Sequence, residues 1–555
     1  MNKKVCSFPI LFALLALLIG TCAVVFPASA QAAPTSTGSI TVSGTVARSY
    51  DAYQIFSANV VDGDSDAKIA TDLAWASDAA CDAVLPVLHS AGMPKSQTTA
   101  QEAAEWLNTD SHLTSALSAQ LARSLQSSGA EPVALNAGTT AELSCGYWLI
   151  VADDDAIAQG EAGTAPIMAL VGGSAVTVKP KAATPKVSKH VLEDGTAAWQ
   201  KAADATVADD LYWRLSATVP AGLTAYDTYT VQFVDTMSAG LDPSKVAASM
   251  RVYVAAGADG GFDAVSAGKD GRAGTEPAKG WTDITAQCAT KVAADGTFTV
   301  RTGDLIAALG GADAFTVGAR VVAVYNAPLG SACNHGIAKG NPNEVYLRYP
   351  RSPLADQSGD AGFARTPSDD ACAYTWDLAL TKRGSDGDKP LAGAVLSIAD
   401  DRGRTLAADG TWDAEGKATV TTGEDGRVAV SGVDSGKLEV RELKAPKGYT
   451  AFEGTRSVTV KAEGLDVDQV AAAKPKLTIT AESPLRADSA DGSTGSLEAS
   501  LINTPTGTPP SITTGGFMPS TGDMAMYAAA AAAVAGAALI VVALLVKRGG
   551  GSHKE

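Results

Sequence analysis

Apolar and polar residues alternate over short stretches through most of this chain. A two-residue period marks strands buried on one face. Such stretches run from Gly38 to Val46, Tyr212 to Ala217, Thr228 to Val234, Phe298 to Arg301, Arg320 to Tyr325 and Glu344 to Tyr349. They resume at Asp377 to Lys382, Ala394 to Ala399, Arg427 to Val430, Leu438 to Glu442 and Arg456 to Val460. Gly, Pro, Asn and Asp punctuate them as turn residues. A helical period interrupts the pattern early and predicts helices over Lys68–His89, Thr98–Leu107 and Leu113–Leu125, before strands return at Gly146–Val151 and Ile167–Val171. Two runs are apolar throughout, Ile10–Val25 and Met524–Val546.

The pattern divides the chain. Residues 1–30 read as a signal peptide: Lys3 and Lys4, then the first apolar run, then Ala28-Ser29-Ala30 as a small-residue cleavage site. Residues 34–180 form a mixed α+β unit, 182–353 a β unit, 354–373 a polar connector, and 374–504 a compact β unit with closely spaced turns. The expected fold is mainly β, with tandem immunoglobulin-like sandwiches preceded by an α+β N-terminal domain. Residues 505–517, rich in Thr, Pro and Gly, read as a flexible stem. The second apolar run, residues 524–546, is long enough at about 1.5 Å per residue to cross a hydrocarbon core of roughly 30 Å. Lys547 and Arg548 behind it place the tail in the cytoplasm.

Composition narrows the function. The formal net charge of −17, from 60 acidic and 43 basic residues, argues against nucleic acid and anionic membrane surfaces as partners. Aromatics make up only 6%, which fits extended sandwiches better than a large ligand pocket. Five cysteines follow the signal, and export permits disulfides. Cys81 with Cys145, and Cys288 with Cys333, are the expected pairs, with buried free thiols the equal alternative. There is no His-Glu-x-x-His or Gly-x-Ser-x-Gly string, and the five histidines are scattered. Asp62-Gly63-Asp64-Ser65-Asp66 starts like a calcium loop but continues with Ala67 where glycine is needed. The expectation is no enzyme, no cofactor and no metal.

Met518-Pro519-Ser520-Thr521-Gly522 stands just before the second apolar run. Pentapeptide, membrane-length segment and basic tail, in that order, resemble the cell-wall sorting signal of Gram-positive surface proteins. In that family a sortase cuts between Thr and Gly, here Thr521 and Gly522, and joins the Thr carbonyl to an amine. Met518 replaces the usual Leu at similar volume.

Leu378-Ala379-Leu380-Thr381-Lys382, Val440-Arg441-Glu442 and Leu501-Ile502-Asn503 together resemble the collagen-adhesin B-type domain, which forms an internal Lys–Asn isopeptide bond. The resemblance implies Lys382 as nucleophile, Asn503 as acceptor and Glu442 as assisting acid. The chemistry needs a neutral lysine and a protonated carboxyl, and burial favours both. Ser188-Lys189-His190, Val234-Asp235-Thr236 and Asn341-Pro342-Asn343-Glu344 resemble the middle domain of sortase-assembled pilin backbone subunits. There the implied set is Lys189, Asp235 and Asn343, with Asn341 the alternative acceptor and Lys186 the alternative nucleophile. The opening strand of the N-terminal unit has no lysine, so no such bond is expected there.

Val176-Thr177-Val178-Lys179-Pro180-Lys181 resembles the pilin motif in which a Pro-Lys pair ends a strand and presents the polymerising amine. This implies Lys181, with Lys179 as fallback. An aromatic is usual where Lys179 stands. The resemblance as a whole implies the shaft-forming subunit of a covalent pilus, exported and anchored to the cell wall after transient membrane retention. Its implied partners are a pilin-class sortase, other copies of itself, the peptidoglycan wall, minor pilins and a host ligand. A monomeric wall-anchored adhesin is the alternative.

Overall fold

The computed structural model describes residues 36–44, 48–64, 67–109, 111–181, 184–221, 223–257 and 280–507. The signal peptide, the sorting motif Met518–Gly522 and the apolar run from Met524 lie outside the described residues, as does most of the stem. Among the described residues no helix is long and apolar enough to cross a membrane.

The chain is mostly β, arranged as successive pairs of sheets. In the N-terminal unit the long strand Ser49–Asp62 lies between Lys68–Trp75 and Gly146–Ala152, with Ile167–Val171 beyond. Helices Asp78–Ser90, Ala100–Asn108 and Ser115–Ser127 cover it. Tyr53, Ile55, Phe56, Val84, Leu88, Leu121 and Leu125 share the resulting core. A smaller sheet places Thr37–Val42 between Thr140–Ser144 and Val176–Val178.

Lys68–Trp75 is a strand where the helical period predicted the start of a helix. Its backbone pairs with the edge of Ser49–Asp62, register Asp62 to Lys68. Tertiary pairing outweighs a weak local propensity. The helix begins only after Ser77, whose hydroxyl accepts from the Ala80 amide as an N-cap. The next helix starts at a capping box, Thr99 with Glu102.

The middle unit is a sandwich. One sheet runs Ala198–Gln200, Val187–Glu193, Tyr212–Thr218, Arg320–Asn326, Arg251–Ala255, Trp281–Asp283. The facing sheet runs Ala202–Asp204, Asp369–Tyr374, Asn341–Pro350, Gln232–Met237, Thr297–Arg301, Ala289–Val292. Residues 354–373, expected as a connector, thus contribute a strand: Asp369–Val345 and Ala373–Asn341 are register partners. Ala371 and Ala373 are fully buried there, small enough to sit between the sheets and invisible to a hydrophobic period. The C-terminal unit pairs a sheet of Arg427–Val433, Trp376–Gly384 and Ser496–Pro505 with one built on Val395–Ala399, Gly436–Lys444, Thr455–Glu463 and Lys476–Ala481.

The two sandwiches meet at a polar joint. Asp204 accepts from Trp376 Nε1 at 2.6 Å and from the Ser435 amide at 2.9 Å. Arg402 bridges Asp194 and Asp209, and Arg404 bridges Asp209 and Asp400. All five cysteines are free, which overturns both expected pairings. Cys145 is buried beside Val60 and Leu170 in a small cluster of its own, while Cys81 sits on the first helix. Cys333 Sγ faces His335 Nε2 at 3.5 Å instead of Cys288.

Candidate cross-linking sites

In each sandwich a lysine, a carboxylate and an asparagine occupy inward positions of otherwise apolar strands. Leu378, Leu380 and Lys382 share one face of the first C-terminal strand; Leu497, Ala499, Leu501 and Asn503 share one face of the last. These strands are parallel neighbours, with Lys382 opposite Leu501 and Gly384 opposite Asn503. Lysine and asparagine are therefore diagonal neighbours on one sheet face, within reach of long side chains. Leu438, Val440 and Glu442 point inward from the facing sheet.

Lys382 and Glu442 have fully buried side chains, and Asn503 is 2% exposed. Lys382 Nζ donates to Asn503 Oδ1 and lies 3.2 Å from Glu442 Oε1. Asn503 Nδ2 donates to Glu442 Oε1 at 2.9 Å and Oε2 at 3.1 Å. The Phe452 amide also holds Oε2, at 3.1 Å. Burial pushes the Lys382 amine down to about 8, against the pull of Glu442. The carboxyl thus contacts both the lysine amine and the amide nitrogen, an arrangement able to pass a proton from one to the other. The lysine, not the carboxyl, meets the Asn503 carbonyl oxygen.

The middle site inverts the arrangement. Lys189 stands on one sheet, between inward Val187 and Val191, while Asp235 and Asn343 stand on adjacent strands of the other. All three are fully buried. Lys189 Nζ donates to Asp235 Oδ2 and, at 2.9 Å, to Tyr325 Oη. Burial pushes Lys189 down to about 8 and Asp235 up to about 6, each opposed by the other. The amine also lies 5.6 Å from the Trp213 ring centroid and 5.5 Å from that of Tyr325.

Asn343 Nδ2 donates to Tyr325 Oη at 2.8 Å. Asn341, the alternative, is held by the Asn334 amide and carbonyl and the Ala373 carbonyl. Lys186, the alternative nucleophile, is exposed. Sequence reading missed Tyr325. The available signal was its place in Arg320–Tyr325, where it ends an inward row of Val321 and Ala323.

Lys181 follows the short strand Val176–Val178 and is exposed, as is Lys179. The buried Thr164 donates its hydroxyl to the Lys181 carbonyl at 3.1 Å. Thr164 belongs to a segment docked on the middle unit: the Gly163 amide donates to the Arg351 carbonyl at 2.7 Å, and Tyr349 Oη to the Glu161 carbonyl at 2.9 Å. The backbone at Lys181 is thereby tied at the junction of two units while its amine faces solvent. Thr521 and Gly522 lie outside the described residues.

Residues 377–474 match the family described as SpaA, a prealbumin-like fold domain. The chain is similar to Gram-positive backbone pilins. The trypsin-resistant surface T6 protein of Streptococcus pyogenes serotype M6 is 30% identical over 129 residues, 22% of each chain. The chain thus matches about a fifth of that relative's length. Among solved structures, the T6 backbone pilin of serotype M6 Streptococcus pyogenes is similar over 85% of this chain and 98% of that one, at 17% identity and a TM-score of 0.46. The full-length major pilin SpaD of Corynebacterium diphtheriae is similar over 86% and 100%, at 15% identity and a TM-score of 0.40.

Proposed function

We propose that this chain is the backbone subunit of a covalently polymerised surface pilus, stiffened by two internal Lys–Asn isopeptide bonds. The observation that carries the reading is the pair of buried lysine, carboxylate and asparagine sets, one in each sandwich. A buried lysine next to a carboxylate and a carboxamide is a poor design for stability alone, because desolvation offsets much of the ionic attraction. It is a good design for an amide-forming reaction. Lysine Nζ, neutral when its proton has passed to the carboxylate, attacks the asparagine Cγ. The Nζ–Cγ bond forms, the Cγ–Nδ2 bond breaks, and the nitrogen leaves as ammonia with a proton relayed through the acid. Lys382 pairs with Asn503 through Glu442, and Lys189 with Asn343 through Asp235.

Polymerisation joins the C-terminal sorting motif of one copy to the junction of the first two units of another. A pilin-class sortase cleaves between Thr521 and Gly522 and holds the Thr521 carbonyl as an acyl-enzyme. The Lys181 amine of another copy attacks that carbonyl and releases the enzyme. Repetition gives an open filament from a head-to-tail contact, and transfer of the last subunit to peptidoglycan anchors it. The exposure of Lys181, and the grip of Thr164 on its carbonyl, support this assignment. Signal peptide and C-terminal apolar run serve export and transient retention.

The test is gel electrophoresis of wall extracts after boiling in detergent. A ladder of high-mass species that disappears in Lys181→Ala is expected. A single wall-linked band in the parent strain contradicts polymerisation and fits a monomeric anchored adhesin. A ladder that persists in Lys181→Ala and vanishes in Lys179→Ala moves the role to Lys179.

A further inference from the structure

The two cross-linking sites differ in reach. Glu442 contacts both the lysine amine and the amide nitrogen of Asn503. Asp235 is shorter by one methylene; its carboxylate meets Lys189 and Tyr325, and its Oδ1 has no hydrogen-bond partner. The space between Asp235 and the Asn343 amide nitrogen is bridged by one hydroxyl. Tyr325 Oη lies 3.2 Å from Asp235 Oδ2, 2.8 Å from Asn343 Nδ2 and 2.9 Å from Lys189 Nζ. It touches the acid, the leaving nitrogen and the nucleophile at once.

We propose that Tyr325 is a catalytic proton relay for the middle cross-link, passing the proton of Asp235 to the departing nitrogen of Asn343. This rests on the isopeptide reading above. In the resting site the planar amide Nδ2 has no available lone pair, so it donates to the tyrosine oxygen, as observed. Attack by Lys189 makes Cγ tetrahedral and turns Nδ2 into an amine that accepts. The contact then reverses: Tyr325 gives its proton to Nδ2 and takes one from Asp235. Asp235 recovers a proton from the new Nζ–Cγ linkage, and Nδ2 departs as ammonia. Every proton is accounted for, and no outside acid is needed in a water-excluded core.

The surroundings suit the role. The Tyr325 ring packs edge-on against Phe298 at 4.7 Å and is fully buried, which fixes the hydroxyl. Burial and the neighbouring Asp235 hold the phenol well above its usual pKa, so it keeps its proton until Asp235 supplies another. The C-terminal site needs no such bridge, since Glu442 spans the gap itself.

The test refolds the ectodomain from unbonded, denatured inclusion-body chain and follows each cross-link by mass spectrometry of proteolytic fragments. Wild type is the reference for the reading itself: absence of ammonia loss between Lys189 and Asn343 defeats the isopeptide assignment and leaves the relay without a reaction. Given that loss, Tyr325→Phe is expected to slow the middle bond by at least ~100-fold, the scale of one general acid, while the Lys382–Asn503 bond forms at the wild-type rate. Asp235→Glu in the Tyr325→Phe background is expected to restore much of the rate, since the longer acid reaches Nδ2 as Glu442 does. A wild-type rate in Tyr325→Phe overturns the relay. So does loss of the middle unit's near-ultraviolet dichroism in that variant, because a hydroxyl that only moves protons is dispensable for packing.

Discussion

Replacing Lys382 by methionine removes the C-terminal cross-link while keeping the volume of the side chain. Lys382 and Asn503 are 121 residues apart, so their bond closes a long loop in the unfolded chain. On the chain-entropy model used for disulfides, a loop of this length is worth about 5 kcal/mol. Spread over a domain of this size, that corresponds to roughly 15–20 °C in Tm. The volume-conserving swap itself costs less than ~1.5 kcal/mol. The competing account, a buried Lys382–Glu442 ion pair with no covalent bond, predicts no such loss once both charges are removed together, in Lys382→Met/Glu442→Gln. Replacing both members of a buried ion pair by uncharged residues of similar size is commonly neutral or stabilising by about 1–4 kcal/mol, whereas removing one alone strands the other charge and costs about 3–5 kcal/mol. Scanning calorimetry of wild type and Lys382→Met/Glu442→Gln ectodomains separates the two. The cross-link predicts a C-terminal transition lower by some 15 °C or more, with the middle-unit transition nearly unmoved. An unchanged or higher C-terminal transition refutes the covalent account of this site.

Three further outcomes follow from the same structure. Formation of the middle bond needs one proton between Lys189, held near 8, and Asp235, held near 6. Its rate in refolding experiments is therefore expected to peak between about pH 6 and 8; a rate still climbing steeply above pH 9 contradicts this. At the joint, the carboxylates of Glu193, Asp204 and Asp434 lie within 4.8 Å of one another. Burial first, and then Asp204 and Asp194, push Glu193 from 4.5 to about 8, and Asp434 is also raised. The folded state holds protons that the unfolded chain releases, so stability contributed here is present below pH 4.5 and falls as pH rises to about 8. Thermal unfolding should show that slope, and Glu193→Gln should flatten it; stability rising across this window opposes the assignment. Finally, thiol titration of the denatured, unreduced ectodomain should count Cys81, Cys145, Cys288, Cys333 and Cys372, with no mass change on reduction.

The β-rich class was legible because it rests on the two-residue period, and the lysine, acid and asparagine positions because their local strings resemble those of known isopeptide-forming domains. A lysine after Leu378 and Leu380, or an asparagine after Ala499 and Leu501, stands where the pattern demands an apolar residue. Such a conflict between local pattern and residue type marks a functional site. What was not legible depended on partners distant in sequence. Lys68–Trp75 is a strand because Ser49–Asp62 offers it an edge. Asp369–Tyr374 is a strand because Asn341–Val345 runs beside it. The cysteine pairings failed, and the alternative of free thiols held, because the order of thiols along the chain carries no information about which sheets will bring them together. Tyr325 was hidden for a different reason: a tyrosine closing an apolar row looks like core until the hydroxyl is seen among Lys189, Asp235 and Asn343.

The account stands on two internal amides, and the intact mass of the purified, folded ectodomain tests them most directly. The predicted mass is lower than that of the sequence by two molecules of ammonia, one shortfall vanishing in Lys382→Met and the other in Lys189→Met. A wild-type mass equal to that of the sequence contradicts the account.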